Sequence, residues 1–181
     1  DERYRGRRPS YEYRQRDPYS QQRFICRRVN GCVNKDQLRS FAKSLRVETI
    51  PQRSFAAVSS LFPARVKAYA FVLGEIEDSS FVNGVVDSVI KEIRHLVKLT
   101  DVHRSEHALR LRAFCRFLAA LRSIGIVRTD LISKLFASIL KNGITYTNTR
   151  DMWLRSDALL HAIVSSVPWM FTQQRQDDYD D

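Results

Sequence analysis

The stretch Arg150–Phe171, RDMWLRSDALLHAIVSSVPWMF, decides how this chain folds. Trp153, Leu160, Ile163, Val164 and Val167 recur at spacings of three, four and seven, which places them on one apolar stripe of a helix. Such a stripe is expected to pack against a neighbour. Pro168 has no N–H and disfavours helical geometry at Val167, so the helix is expected to end there. The chain should then turn Trp169, Met170 and Phe171 back against the domain.

Working outward from that helix, the same period recurs. Thr129 caps a helix carrying Leu131, Ile132, Leu135, Phe136, Ile139 and Leu140, which ends at Asn142-Gly143. Ser105 can cap a helix that sends Leu111, Phe114, Cys115, Leu118 and Leu121 to the core and stops near Gly125. Phe81, Val82, Val85, Val86, Val89, Ile90, Ile93, Leu96 and Val97 form the clearest stripe in the chain. Their β-branched side chains would suit a strand, but the period is not two. Pro63 opens a helix with Val66, Tyr69, Ala70 and Leu73 on one face, and Pro51 opens one backed by Phe55, Val58, Leu61 and Phe62. Asn34 with Gln37 three residues on resembles a capping box ahead of Leu38, Phe41, Ala42 and Leu45. Asn30-Gly31 reads as a helix stop after Phe24–Val29.

Helices joined in pairs by short turns, with no strand period of convincing length, predict an all-α, HEAT-like array of antiparallel helical hairpins, an α-α superhelix. Residues 23–171 would form this domain. Residues 1–22 consist of Arg, Tyr, Ser, Gln and Pro with hardly any aliphatic side chains, and are read as a disordered arm. Residues 172–181 are read as an acidic, flexible tail.

The net charge is +10. Asp1–Arg23 hold seven Arg against four acidic residues, and Thr172–Asp181 one Arg against four Asp, so the helical part itself is basic and favours acidic partners. Asp rather than Met at position 1 is read as a processed or incomplete product. Cys26, Cys32 and Cys115 contain no CxxC, follow no secretory signal, and are read as reduced thiols. Apolar runs such as Ala68–Leu73 fall far short of the roughly 20 residues a membrane span needs.

Residues carrying chemistry are sparse. His103 and His107 share a helical face, but a zinc site needs further ligands and no convincing set accompanies them. Cys115 reads as a small buried apolar residue, His161 as a partly buried histidine, and Glu75 and Glu77 as a solvated turn. Neither GxxxxGK[ST] nor GxGxxG occurs. Nothing positive points to an enzyme, a metal or a cofactor. Two sets of basic residues remain. Lys91, Arg94 and Lys98 on one helix and Arg112 and Arg116 on the next would form a strip for RNA phosphates or an acidic protein segment if the helices lie side by side. Arg3, Arg5, Arg7 and Arg8, interleaved with Tyr4, Tyr11, Tyr13 and Tyr19, resemble a weak nuclear-import signal or a base-stacking arm.

The Arg150-Asp151-x-Trp153 entry and the Ser165-Ser166-Val167-Pro168-Trp169 exit resemble the end of the first helical domain of the nuclear cap-binding complex large subunit. The order of weaker matches agrees: an Ile25-Cys26 start, a Leu61-Phe62-Pro63 joint, Arg116-Phe117-Leu118 in the middle, then Pro168-Trp169. The same domain type occurs in the middle of translation initiation factor four-G. The resemblance implies a non-catalytic scaffold in the nucleus, with shuttling to the cytoplasm left open. Its partners would be a small RNA-recognition-motif subunit that grips the 7-methylguanosine cap, docked mainly on later domains, with capped RNA held indirectly and an import adaptor on the arm. The whole complex serves splicing, export and decay of capped transcripts. Two alternatives stay open: a translation-initiation or decay scaffold that binds an RNA helicase, and a stand-alone basic RNA-binding module.

Overall fold

The computed structural model describes residues 18–143 and 149–171. Eight α-helices follow one another: α1 (Pro18–Gly31), α2 (Lys35–Ser44), α3 (Gln52–Ser59), α4 (Val66–Gly74), α5 (Ser79–Lys98), α6 (Ser105–Ser123), α7 (Thr129–Gly143) and α8 (Arg150–Val164). Short 3₁₀ turns at Val47–Thr49, Pro63–Arg65 and Val167–Met170 join or end them. No strand occurs among the described residues.

Odd-numbered helices stack on one another in the series α1, α3, α5, α7, and even-numbered ones in the series α2, α4, α6, α8. The two layers meet through α1/α2, α3/α4, α5/α6 and α7/α8, so four hairpins lie side by side as an all-α array. One continuous core runs between the layers, and its largest fully buried side chains include Phe41, Phe55, Tyr69, Phe114 and Phe117. Helix α6 is the most enclosed element because α4, α5, α8 and the Val167–Met170 turn all pack on it. That enclosure buries Ala113, Phe117, Ala119 and Ala120 in addition to the stripe at Leu111, Phe114, Cys115, Leu118 and Leu121. Small alanines let the neighbouring helices approach. No single helix is long and apolar enough to cross a membrane. The bent apolar pair Gln52–Ser59 and Pro63–Gly74 owes its hydropathy to Phe55, Val58, Val66, Tyr69 and Leu73, all buried in the core.

Several local expectations are realised in atomic detail. Asn34 Oδ1 accepts from the backbone N–H of Gln37 at 2.9 Å, while Gln37 Oε1 accepts from Val33 N at 2.8 Å, one residue earlier than in a standard box. A cap not anticipated from sequence is Asp78, which accepts from Phe81 N at 2.9 Å at the start of α5. Gly125 takes a φ of +82°, the left-handed geometry that closes α6.

Others are corrected. Helix α1 begins at Pro18, suited to a first helical position, so residues 18–22 belong to the folded part rather than to the arm. Ser105 is the first residue of α6; Arg104 occupies the cap position and its side chain makes no capping bond. Leu61 and Phe62 are exposed because α3 stops at Ser59 and the chain turns outward toward Pro63. Leu131 is exposed on α7.

The largest correction concerns α8. Its buried residues are Leu159, Ala162 and Ile163, whereas Trp153 is 66% exposed and Leu160, Val164 and Val167 are exposed as well. At roughly 100° per residue the buried arc lies about a third of a turn from the Trp153 stripe. Arg155 explains the rotation. It points into the domain and donates to the carbonyls of Val97, at 2.6 Å, and Gly143, near the ends of α5 and α7. Those terminal carbonyls lack intrahelical partners and carry the negative end of the helix dipole, so a guanidinium satisfies both.

Candidate interaction surfaces

The chain leaves α8 through Ser165 and Ser166, whose hydroxyls donate back to Ala162 O and Ile163 O, at 3.4 and 2.7 Å. Pro168 sits at the start of the Val167–Met170 turn, where its missing N–H costs nothing. The turn buries Met170 and half-buries Trp169 against α6. Two cations lie over the Trp169 ring: Lys67 Nζ of α4 at 5.2 Å and Arg116 Cζ of α6 at 5.5 Å from its centroid. Arg122 lies over Phe171 at 5.8 Å and donates to Thr129 Oγ1 at 2.9 Å. Attraction between cation and ring face holds the exit turn on α4 and α6. Trp169 and Met170 therefore fold back as the sequence predicts, but α8 ends at Val164, ahead of Val167, and Pro168 lies within the following 3₁₀ turn rather than at the end of the helix, while Phe171 remains 61% exposed beneath its arginine.

The proposed basic strip is not one surface. Lys91, Arg94 and Lys98 are exposed on the outer side of α5, opposite Val89, Ile93 and Leu96. Arg112 and Arg116 are half-buried, and Arg116 is committed to Trp169. The polar contact between α5 and α6 is Arg110 to Glu92 at 3.4 Å. Arg112 and Arg116 stand roughly 120–160° around α6 from Arg110, so they face away from the α5 lysines. Adjacent helices were a sound expectation; which face each turned required the core. Arg3, Arg5, Arg7 and Arg8 lie outside the described residues.

Among the described residues no group of three or more His, Cys, Asp or Glu converges as metal ligands. His107 Nδ1 lies 3.3 Å from Asp101 Oδ1. Burial pushes the Cys115 thiol up to about 12, which keeps it protonated and unreactive. Burial also raises Cys26, although a hydrogen bond from Tyr69 opposes the rise.

The Trp153 stripe departs from a closed core. Trp153, Leu160 and Val164 share one face of α8, and Val167 and Phe171 of the exit segment are exposed as well. The sequence signal for an apolar face was correct, but that face is not the one α8 turns to the core. Lys67 as a partner of Trp169 escaped sequence reading, because nothing in α4 marks a lysine that will meet an aromatic about a hundred residues later. Searches against protein families, curated proteins and solved structures give no match to this chain.

Proposed function

We propose that this chain is a scaffold domain of the nuclear cap-binding complex large subunit. In this reading it performs no catalysis and supports cap binding by a small RNA-recognition-motif subunit, and with it the processing, export and decay of capped RNA. The observation that carries the scaffold reading is the exposed apolar stripe of Trp153, Leu160 and Val164 on α8. An amphipathic helix whose second apolar face stays exposed suits a domain that packs against further protein. The Ser165–Trp169 exit and the hairpin order support the choice of family.

The test uses the complete gene product and the small subunit on 7-methylguanosine resin. Retention of the complete product is expected only when the small subunit is present, and this chain alone should not be retained. Trp153→Asp with Leu160→Asp should lower retention of the complete product while leaving this domain folded. Absence of retention, with an RNA helicase recovered instead, would replace this reading by the initiation-scaffold one.

A further inference from the structure

A second surface lies between α2, α4 and α6. It is a half-open pit of about 280 Å³. Leu38, Phe71 and Ile124 supply its apolar wall, and Lys35, Arg65 and Lys67 stand in its lining, with no acidic residue among the described residues that line it. The volume falls below the roughly 300–1,000 Å³ typical of small-molecule sites and suits one bulky side chain.

The three cations are held in place by different means. Arg65 donates to Val29 O at 2.7 Å and Cys32 O at 2.8 Å, where α1 ends. Lys67 rests over Trp169. Lys35 is the first residue of α2, where the helix dipole adds positive potential. Neighbouring carboxylates offset only part of this field: Asp36 and Glu75 share one guanidinium, Arg39, at 3.0 and 3.2 Å, which leaves one net negative charge beside the three cations of the lining. Arg39 also lies over the ring of Phe71, the one aromatic in the lining, at 5.7 Å. A nucleic-acid base would therefore find at most one ring, already partly covered, to stack on, which disfavours RNA as the occupant.

From this charge complementarity we infer that the pit binds an acidic linear segment of a partner protein, which inserts one Leu- or Phe-sized side chain while its carboxylates meet Lys35, Arg65 and Lys67. Burial of the side chain gives affinity, and the flanking carboxylates give register and a salt-dependent association rate. This surface does not depend on the cap-complex reading.

The experiment is fluorescence anisotropy of the full chain with a labelled peptide in which a single Phe is flanked on both sides by alternating Asp and Glu. A matched peptide carries Ser in place of Phe. The Phe peptide is expected to bind, and the Ser peptide about tenfold more weakly or worse. Lys35→Glu with Lys67→Glu should weaken the Phe peptide by at least about tenfold, whereas Lys91→Glu with Lys98→Glu should change it by less than about twofold. Both pairs are exposed, and thermal melts verify that each variant folds. Equal binding of the two peptides, or equal loss from the α5 pair, would reduce the effect to bulk charge and overturn the proposal. Peptide binding seen only after removal of residues 172–181 would assign the pit to the chain's own acidic tail instead. Binding of oligouridine, but not of peptide, that disappears in Lys35→Glu with Lys67→Glu would assign it to RNA.

Discussion

Two tryptophans, sixteen positions apart, make opposite contributions. Trp169 lies half-buried beneath Lys67 and Arg116, while Trp153 is 66% exposed. Trp169→Ala removes buried ring area and two cation–ring contacts at once, and should cost about 2 kcal/mol in urea unfolding. Trp153→Ala should stay within about 0.5 kcal/mol of the parent. Equal losses would show that Trp153 is buried within the isolated chain. Cys115 gives a second measurement at this scale. With its ordinary value at 9.0 and its folded value near 12, both states hold the proton below pH 9. Between about pH 9 and 12 the unfolded chain releases that proton while the folded one retains it, so stability falls as pH rises. Cys115→Ala should make this alkaline loss shallower. In the native protein at pH 8, a thiol reagent should label the half-exposed Cys32 and leave Cys115 untouched until denaturant is added.

At the scale of elements, Arg155 ties α8 to α5 and α7 through Val97 O and Gly143 O. Arg155→Ala leaves two helix-terminal carbonyls without their donor and should cost about 2 kcal/mol. Arg155→Lys should recover only part of this, since a single ammonium lacks the planar fork that reaches two carbonyls together. A small effect of the alanine variant would mean that water replaces the guanidinium at both ends. The same residue explains why the α8 stripe was misassigned. Periodicity identifies an apolar face, but Arg155, Leu159, Ala162 and Ile163 form the inward arc because two other helices end where Arg155 can meet them. Helix α5 was legible for the converse reason. Its Val and Ile stripe is so long and uninterrupted that one face alone satisfies it. The Asn34 cap was legible too, since it acts on backbone only three residues away.

At the scale of the molecule, the four hairpins enclose one core but leave the outer face of α8 apolar. That face is why the Trp153→Asp and Leu160→Asp changes should spare folding yet weaken assembly on cap resin: a charge placed in solvent costs little, whereas one buried in a contact costs several kcal/mol. Composition and period by themselves determined that the chain is helical, where most helices begin and end, and that the chain turns back near Pro168 after the last one. These follow from interactions within a few residues, which a linear sequence displays. Only the tertiary structure decided which side of α8 faces inward, that Arg112 and Arg116 turn away from Lys91, Arg94 and Lys98, and that Lys67 meets Trp169. Each of these depends on where a second helix, distant in sequence, places its backbone and charge, and no local spacing records that.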